Sequence, residues 1–159
     1  MATKKPLVLN ANGQIEQLQA GDTLADVGGD NAIALTNANA STAVICEVVY
    51  AANTADNFDK AQANASGTVE AIGLVADTAI ASSAVGSVQT GGTFTATTAQ
   101  WDAVTGESGG LTPGTKYFLS EATAGQLSTA APSTGFIKQI GTALSATDLL
   151  LQFGPTIKL

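Results

Sequence analysis

No histidine and no arginine occur among these 159 residues, and cysteine and tryptophan occur once each. Without an imidazole there is no side chain to take a serine or cysteine proton and return it to a leaving group near neutral pH. Zinc and other transition metals want clusters of His and Cys, which a lone Cys46 cannot supply. One cysteine also excludes an intrachain disulfide. The absence of arginine removes the donor fork that grips phosphate. Six lysines against thirteen carboxylates give a net charge of −7, with no basic run on which a nucleic-acid backbone could lie. Aromatic residues make up 5% of the chain, so Trp101, Tyr50 and Tyr117 are poor material for the platform of a glycan-cleaving cleft. No apolar run approaches the length of a membrane-spanning helix. Only Leu7-Val8-Leu9 follow the first two lysines, too little for a signal-peptide core, and synthesis and folding in a cytoplasm are expected. The N-x-S sequons at Asn39 and Asn64 then carry no glycan.

What is present is Ala, Gly, Thr, Ser and Asn in abundance, with 45% apolar and 12% charged residues. Disordered chains combine low hydrophobicity with high charge, so this composition fits a thin β-structure with many turns. Residues 1–30 read as an arm. Within PLVLNANGQIEQL, Leu7-Val8-Leu9 is β-prone, Asn12-Gly13 is a hairpin turn, and Gln14 to Leu18 alternates polar with apolar. A lone hairpin is marginal in water and needs a surface to lie on.

Residues 31–159 show short strands at intervals of roughly ten residues, the pattern of an all-β sandwich or barrel. The runs are Ala32–Leu35, Thr42–Tyr50, Thr68–Asp77, Val85–Thr90, Thr93–Thr97, Lys116–Ser120, Leu127–Thr129, Phe136–Gly141, Leu149–Phe153 and the terminal Thr156–Leu159. Gly73 suggests a bulge. Pro113-Gly114 at the centre of a turn favours type II. Asn53–Gln62 reads as a polar turn with Phe58 as an anchor, and Thr98–Val104 as a short helical turn. The expected architecture is all-β: a compact sandwich or barrel carrying an N-terminal β-hairpin arm.

One stretch imitates an active site. Gly106-Glu107-Ser108-Gly109-Gly110 differs by one methylene from the G-D-S-G-G around the nucleophile of trypsin-like enzymes. With no histidine to act as its base, Ser108 reads as part of a glycine-rich turn, and nothing marks Lys116 as a desolvated substitute base. Cys46, inside the apolar run AVICEVVY, reads as a small buried hydrophobe. Asp22, Asp26 and Asp30, and the group Asn53, Asp56, Asn57 and Asp59, miss the spacing of a calcium loop and read as solvated turns. No enzyme activity, cofactor or metal is expected.

Two segments carry a resemblance. KKPLVLNANGQIEQLQAGDTL resembles a segment found in many tailed-bacteriophage virion proteins. GGLTPGTKYFLSEATAGQLSTAAPSTGFIKQIGTALSATDLLLQF resembles the module that commonly accompanies it: a Gly-rich turn, a Y-F-L-S strand, a G-x-L-S turn, a Pro-containing loop, and I-x-x-I-G-x-A-L-S before a final apolar strand. Together they cover nearly half of the chain. The resemblance implies a virion structural protein with no catalytic residues. The short single module, lacking a fibre shaft, implies a head decoration (cement) protein that binds the outer capsid surface as an oligomer, expected to be a trimer. Its partner would be the major capsid protein, with no nucleic acid and no membrane involved. The alternative is a head-fibre or tail-fibre component contacting the host surface. Contacts are expected from the arm, at Pro6, Leu7, Val8, Leu9, Ile15 and Leu18, and from the terminal strand, at Ile157 and Leu159.

Overall fold

The computed structural model describes residues 31–159, together with two strands of the preceding segment, β1 (Leu7–Leu9) and β2 (Ile15–Gln17). These two pair antiparallel, with Leu7 opposite Gln17, Val8 opposite Glu16 and Leu9 opposite Ile15. The Asn12-Gly13 turn, Pro6, Leu18 and the aspartates at 22, 26 and 30 lie outside the described residues. Residues 31–159 form a unit of their own.

That unit is all-β apart from one short helix. Its first half closes into a barrel of five strands: β3 (Ala32–Asn37), β5 (Val48–Ala51), β6 (Asn57–Lys60), β7 (Ala71–Val75) and β9 (Val85–Gln89), in spatial order β3-β6-β5-β7-β9. Every pairing is antiparallel except β3 with β6. A ribbon of β4 (Ala43–Val44) and β8 (Ala79–Ile80) accompanies it. The second half makes a five-stranded antiparallel sheet from β10 (Thr93–Thr95), β11 (Lys116–Leu119), β12 (Leu127–Ser128), β14 (Gln139–Ala143) and β15 (Asp148–Leu151), in order β10-β15-β14-β11-β12. A second ribbon joins β13 (Phe136–Ile137) to β16 (Ile157–Lys158).

Two cores follow from strand periodicity. Successive side chains point to opposite faces, so in β5 Val49 enters the barrel while Val48 joins the larger core shared with the sheet. In β7, Val75 and Leu74 divide in the same way. Both faces of these strands are buried, which is why the sequence there reads as a continuous apolar run. The barrel interior holds Val49, Phe58, Val75, Ile80 and Val88. The larger core gathers Phe94, Trp101, Tyr117, Leu119, Ile140 and Leu149. Trp101 is fully buried, donates its indole N–H to Thr147 O at 3.0 Å, and meets Phe94 edge-on at 5.6 Å between centroids.

Three sequence expectations need correction. Thr42–Tyr50 is not one strand: the chain turns at Ile45–Glu47, with Cys46 in the left-handed region at φ 72°. Asn53–Gln62 is not simply a turn, because Asn57–Lys60 forms β6 and closes the barrel, with Phe58 fully buried. Its polar residues alternate with Phe58, a period-2 signal masked by the surrounding Asn and Asp. Phe136–Gly141 is two strands with different partners, divided at Lys138. The Pro113-Gly114 turn forms as expected, with Gly114 at φ 78° and Thr115 N–H bonded to Thr112 O at 3.1 Å. The helical turn is α1 (Thr98–Thr105), capped by Thr97 and Gln100 in a reciprocal box and ended by Gly106 at φ 70°.

Candidate interaction surface

The serine of the protease-like stretch sits in a structural loop. Gly106, Gly109 and Gly110 all take positive φ, which only glycine adopts cheaply, and they turn the chain from α1 back toward β11. Asp102, on the last turn of α1, accepts the amides of Gly109 at 3.1 Å and Gly110 at 2.7 Å. Glu107 accepts the Tyr117 hydroxyl at 2.8 Å, and that hydroxyl accepts Thr112 N–H at 2.9 Å. Burial, with Glu107 nearby, holds the Tyr117 hydroxyl above its ordinary range despite the opposing amide of Thr112. Ser108 is exposed, and so is Lys116. The three glycines and Glu107 of this stretch, together with Asp102 on α1, are accounted for by the turn.

Cys46 is fully buried and its thiol is pushed up to about 12 by that burial, the opposite of an activated nucleophile. Among the described residues, no three of His, Cys, Asp and Glu converge as a metal site. The polar cluster at 53–59 divides: Asp56 turns at φ 58°, while Asp59 accepts Asn39 Nδ2 at 2.6 Å. A shallow cleft between Ser120–Ala122 and Ser128–Ser133 has Glu121 in its wall, but that carboxylate already accepts Thr134 N–H and Oγ1–H. No helix of the described residues is long and apolar enough to cross a membrane.

Exposed apolar side chains are the more informative feature. Ile157 and Leu159 are about half exposed, at 50% and 54%. Residues opposite one another in an antiparallel pair share a face. Phe136, opposite Lys158, packs toward the larger core, so Ile137 and Ile157, opposite each other, face away from it. Leu159, two residues beyond Ile157, joins them, and its N–H bonds to Gly135 O at 3.1 Å. The ribbon therefore presents Ile137, Ile157 and Leu159 together.

The ribbon is anchored from behind. Lys138 is buried, with its Nζ 3.2 Å from Glu70 Oε2 and 3.2 Å from Thr156 Oγ1. Its carbonyl accepts Leu119 N–H at 2.9 Å, tying the ribbon to the sheet. Thr156, and then Lys138, hold the Glu70 carboxyl below its usual range.

Of the residues expected to make contacts, the structure brings Ile157 and Leu159 onto one face. Leu7, Val8, Leu9 and Ile15 fall in β1 and β2, and Pro6 and Leu18 are outside the described residues. Sequence reasoning missed Ile137 and Lys138, because Phe136–Gly141 reads as one strand. The signal was the lysine itself, a charge placed amid an apolar run. Val85, at 68% exposure, and Leu144, at 54%, are further exposed apolar positions away from this ribbon's strands. Compared with family models, curated proteins and solved structures, the chain matches none.

Proposed function

We infer that the chain is a structural component of a tailed-phage virion, a head decoration protein that binds the outer capsid surface as an oligomer and stabilises the shell. The observation that carries this reading is the outward apolar face of the ribbon, where Ile157 and Leu159 are half-exposed beside the partly buried Ile137, on a segment hydrogen-bonded to the sheet. Ile137 lies within the C-terminal segment whose sequence resembles a phage virion module, and Ile157 and Leu159 follow shortly after its end. An apolar face on an acidic chain with few charges supports binding by surface burial. The mechanism is mass action: a ligand that binds only the assembled lattice shifts the equilibrium toward that lattice.

The test is binding of the purified chain to capsids that lack it, read by co-sedimentation and cryo-electron microscopy. Regular density on the shell supports decoration. Bare shells, with the protein found on tails or fibres, would transfer the case to a fibre component. Deletion of residues 1–20 should leave a folded 31–159 unit that no longer decorates.

A further inference from the structure

The hydrogen-bond parity of the ribbon exposes a pairing edge. Leu159 N–H bonds to Gly135 O, so positions 135 and 159 form a hydrogen-bonded pair, and by alternation so do Ile137 and Ile157. Lys158 lies between them, and its amide and carbonyl turn away from β13. The ribbon has two strands and no third on that side among the described residues. On the far side of β13 the alternation is visible too, since Phe136 N–H reaches Ala63 O at 3.0 Å.

We propose that the outer edge of β16 is a docking site for an extended segment of a partner protein that carries an acidic side chain between two apolar ones. This rests on reading the chain as a binding component and specifies what one contact would recognise. Main-chain bonds to Lys158 supply the pairing, and alternate side chains supply the choice of partner. The incoming residue opposite Lys158 shares its face, and the two flanking residues share the face of Ile157 and Leu159. An acidic residue between apolar neighbours matches that pattern.

Charge supports the same occupant. Lys60 and Lys138 are committed to Glu47 and Glu70, whereas Lys158, like Lys116 on β11, is exposed and in no ion pair among the described residues. On a chain of net charge −7, an acidic segment is repelled by most of the surface and attracted here. A second copy's β16 in direct register would set Lys158 against Lys158, which is unfavourable. A lysine on an open edge also discourages indiscriminate pairing. That role alone leaves the half-exposed Ile157 and Leu159 beside it unexplained.

The test uses the isotope-labelled full chain and a capped synthetic heptapeptide with Ile-Glu-Val at its centre. Saturable shifts of the Ile137, Ile157, Lys158 and Leu159 amides are expected. A Lys-centred peptide should bind about fivefold more weakly, Lys158→Glu should invert that preference, and N-methylation of the central peptide residue should abolish binding. Absent shifts, or equal binding of both peptides, would overturn the proposal. So would a Lys158 amide already protected from exchange in the free chain, or protection that grows with protein concentration, since the edge would then belong to this chain or a second copy. No capsid enters this experiment, so its failure leaves decoration standing, and failed decoration leaves this site standing.

Discussion

Lys138 and Glu70 form an unequal pair: Nζ and Oε2 are 3.2 Å apart, but the lysine side chain is 8% exposed and the glutamate 63%. Removing the glutamate strands a buried ammonium with the Thr156 hydroxyl as its remaining bonded partner, whereas removing the lysine leaves a carboxylate that water can solvate. Glu70→Ala should therefore destabilise the chain by about 1 kcal/mol, a figure already discounted for the exposed glutamate. Lys138→Met, which keeps the buried stem, should cost less. Urea unfolding of both variants checks the order.

The same pair predicts a pH dependence. The folded Glu70 carboxyl is lowered by Thr156 first and Lys138 second. Its contribution is therefore present above the ordinary glutamate range and is lost as pH falls through the lowered folded value. The stability gap between wild type and Glu70→Ala should be open at neutral pH and close under acid conditions. A gap that widens on acidification would contradict this assignment.

Cys46 offers a chemical test of the larger core. Its thiol is buried and pushed up to about 12, so the folded chain keeps it protonated where an exposed thiol ionises. Iodoacetamide at mildly alkaline pH should leave the native chain unlabelled and label it fully in guanidinium. Because the folded value is raised, stability is full below the ordinary thiol range. It falls as pH climbs toward about 12, where the unfolded chain has already lost that proton.

How legible these features were in the sequence depended on whether the signal was local. The Pro113-Gly114 turn, the short helical turn at Thr98–Val104 and the strictly alternating Thr93–Thr97 are set by neighbours in the chain, and each appears close to where it was expected. β6 was hidden because its alternation rests on Phe58 alone, and its burial depends on a parallel pairing with β3 that no local pattern announces. The break at Cys46 was hidden for a similar reason. A β-branched run favours extended backbone, and a left-handed cysteine inside it is imposed by tertiary bonds, such as its N–H to Val75 O at 3.0 Å. At the ribbon, the terminal strand was visible as apolar residues, but the exposure of Ile157 depends on which face Phe136 takes. That is a property of the pairing.

Gly73 marks a close approach of β7 to the backbone of β9. The β5–β7 register slips beside it, with Val49 opposite Gly73 and Tyr50 opposite Ala71, so the bulge expected from this glycine is present next to it. A Cβ at position 73 would lie 2.5 Å from Gln89 O and 2.7 Å from Val88 Cγ1. The carbonyl belongs to β9 and cannot swing aside, so Gly73→Ala should cost about 1–3 kcal/mol and lower Tm by several degrees. Gly67→Ala is the control: nothing lies within 4 Å of its Cβ position, and thermal unfolding should be unchanged or slightly raised.

The loop that imitates a protease is separable by two substitutions. If Gly106–Gly110 exists to turn the chain, its essential side chain is Asp102, whose carboxylate accepts two loop amides, and Ser108 is a solvated passenger. Asp102→Ala leaves those amides without their charged acceptor and should destabilise by about 1–2 kcal/mol. Ser108→Ala should stay within about 0.5 kcal/mol of wild type, as surface changes away from caps and cores do. On the proposed decoration reading, capsid co-sedimentation should follow stability in both variants, with Ser108→Ala behaving like wild type. A Ser108→Ala chain that folds normally yet loses its biological effect would mean that the hydroxyl has work of its own, and the turn would no longer be a sufficient account of the stretch.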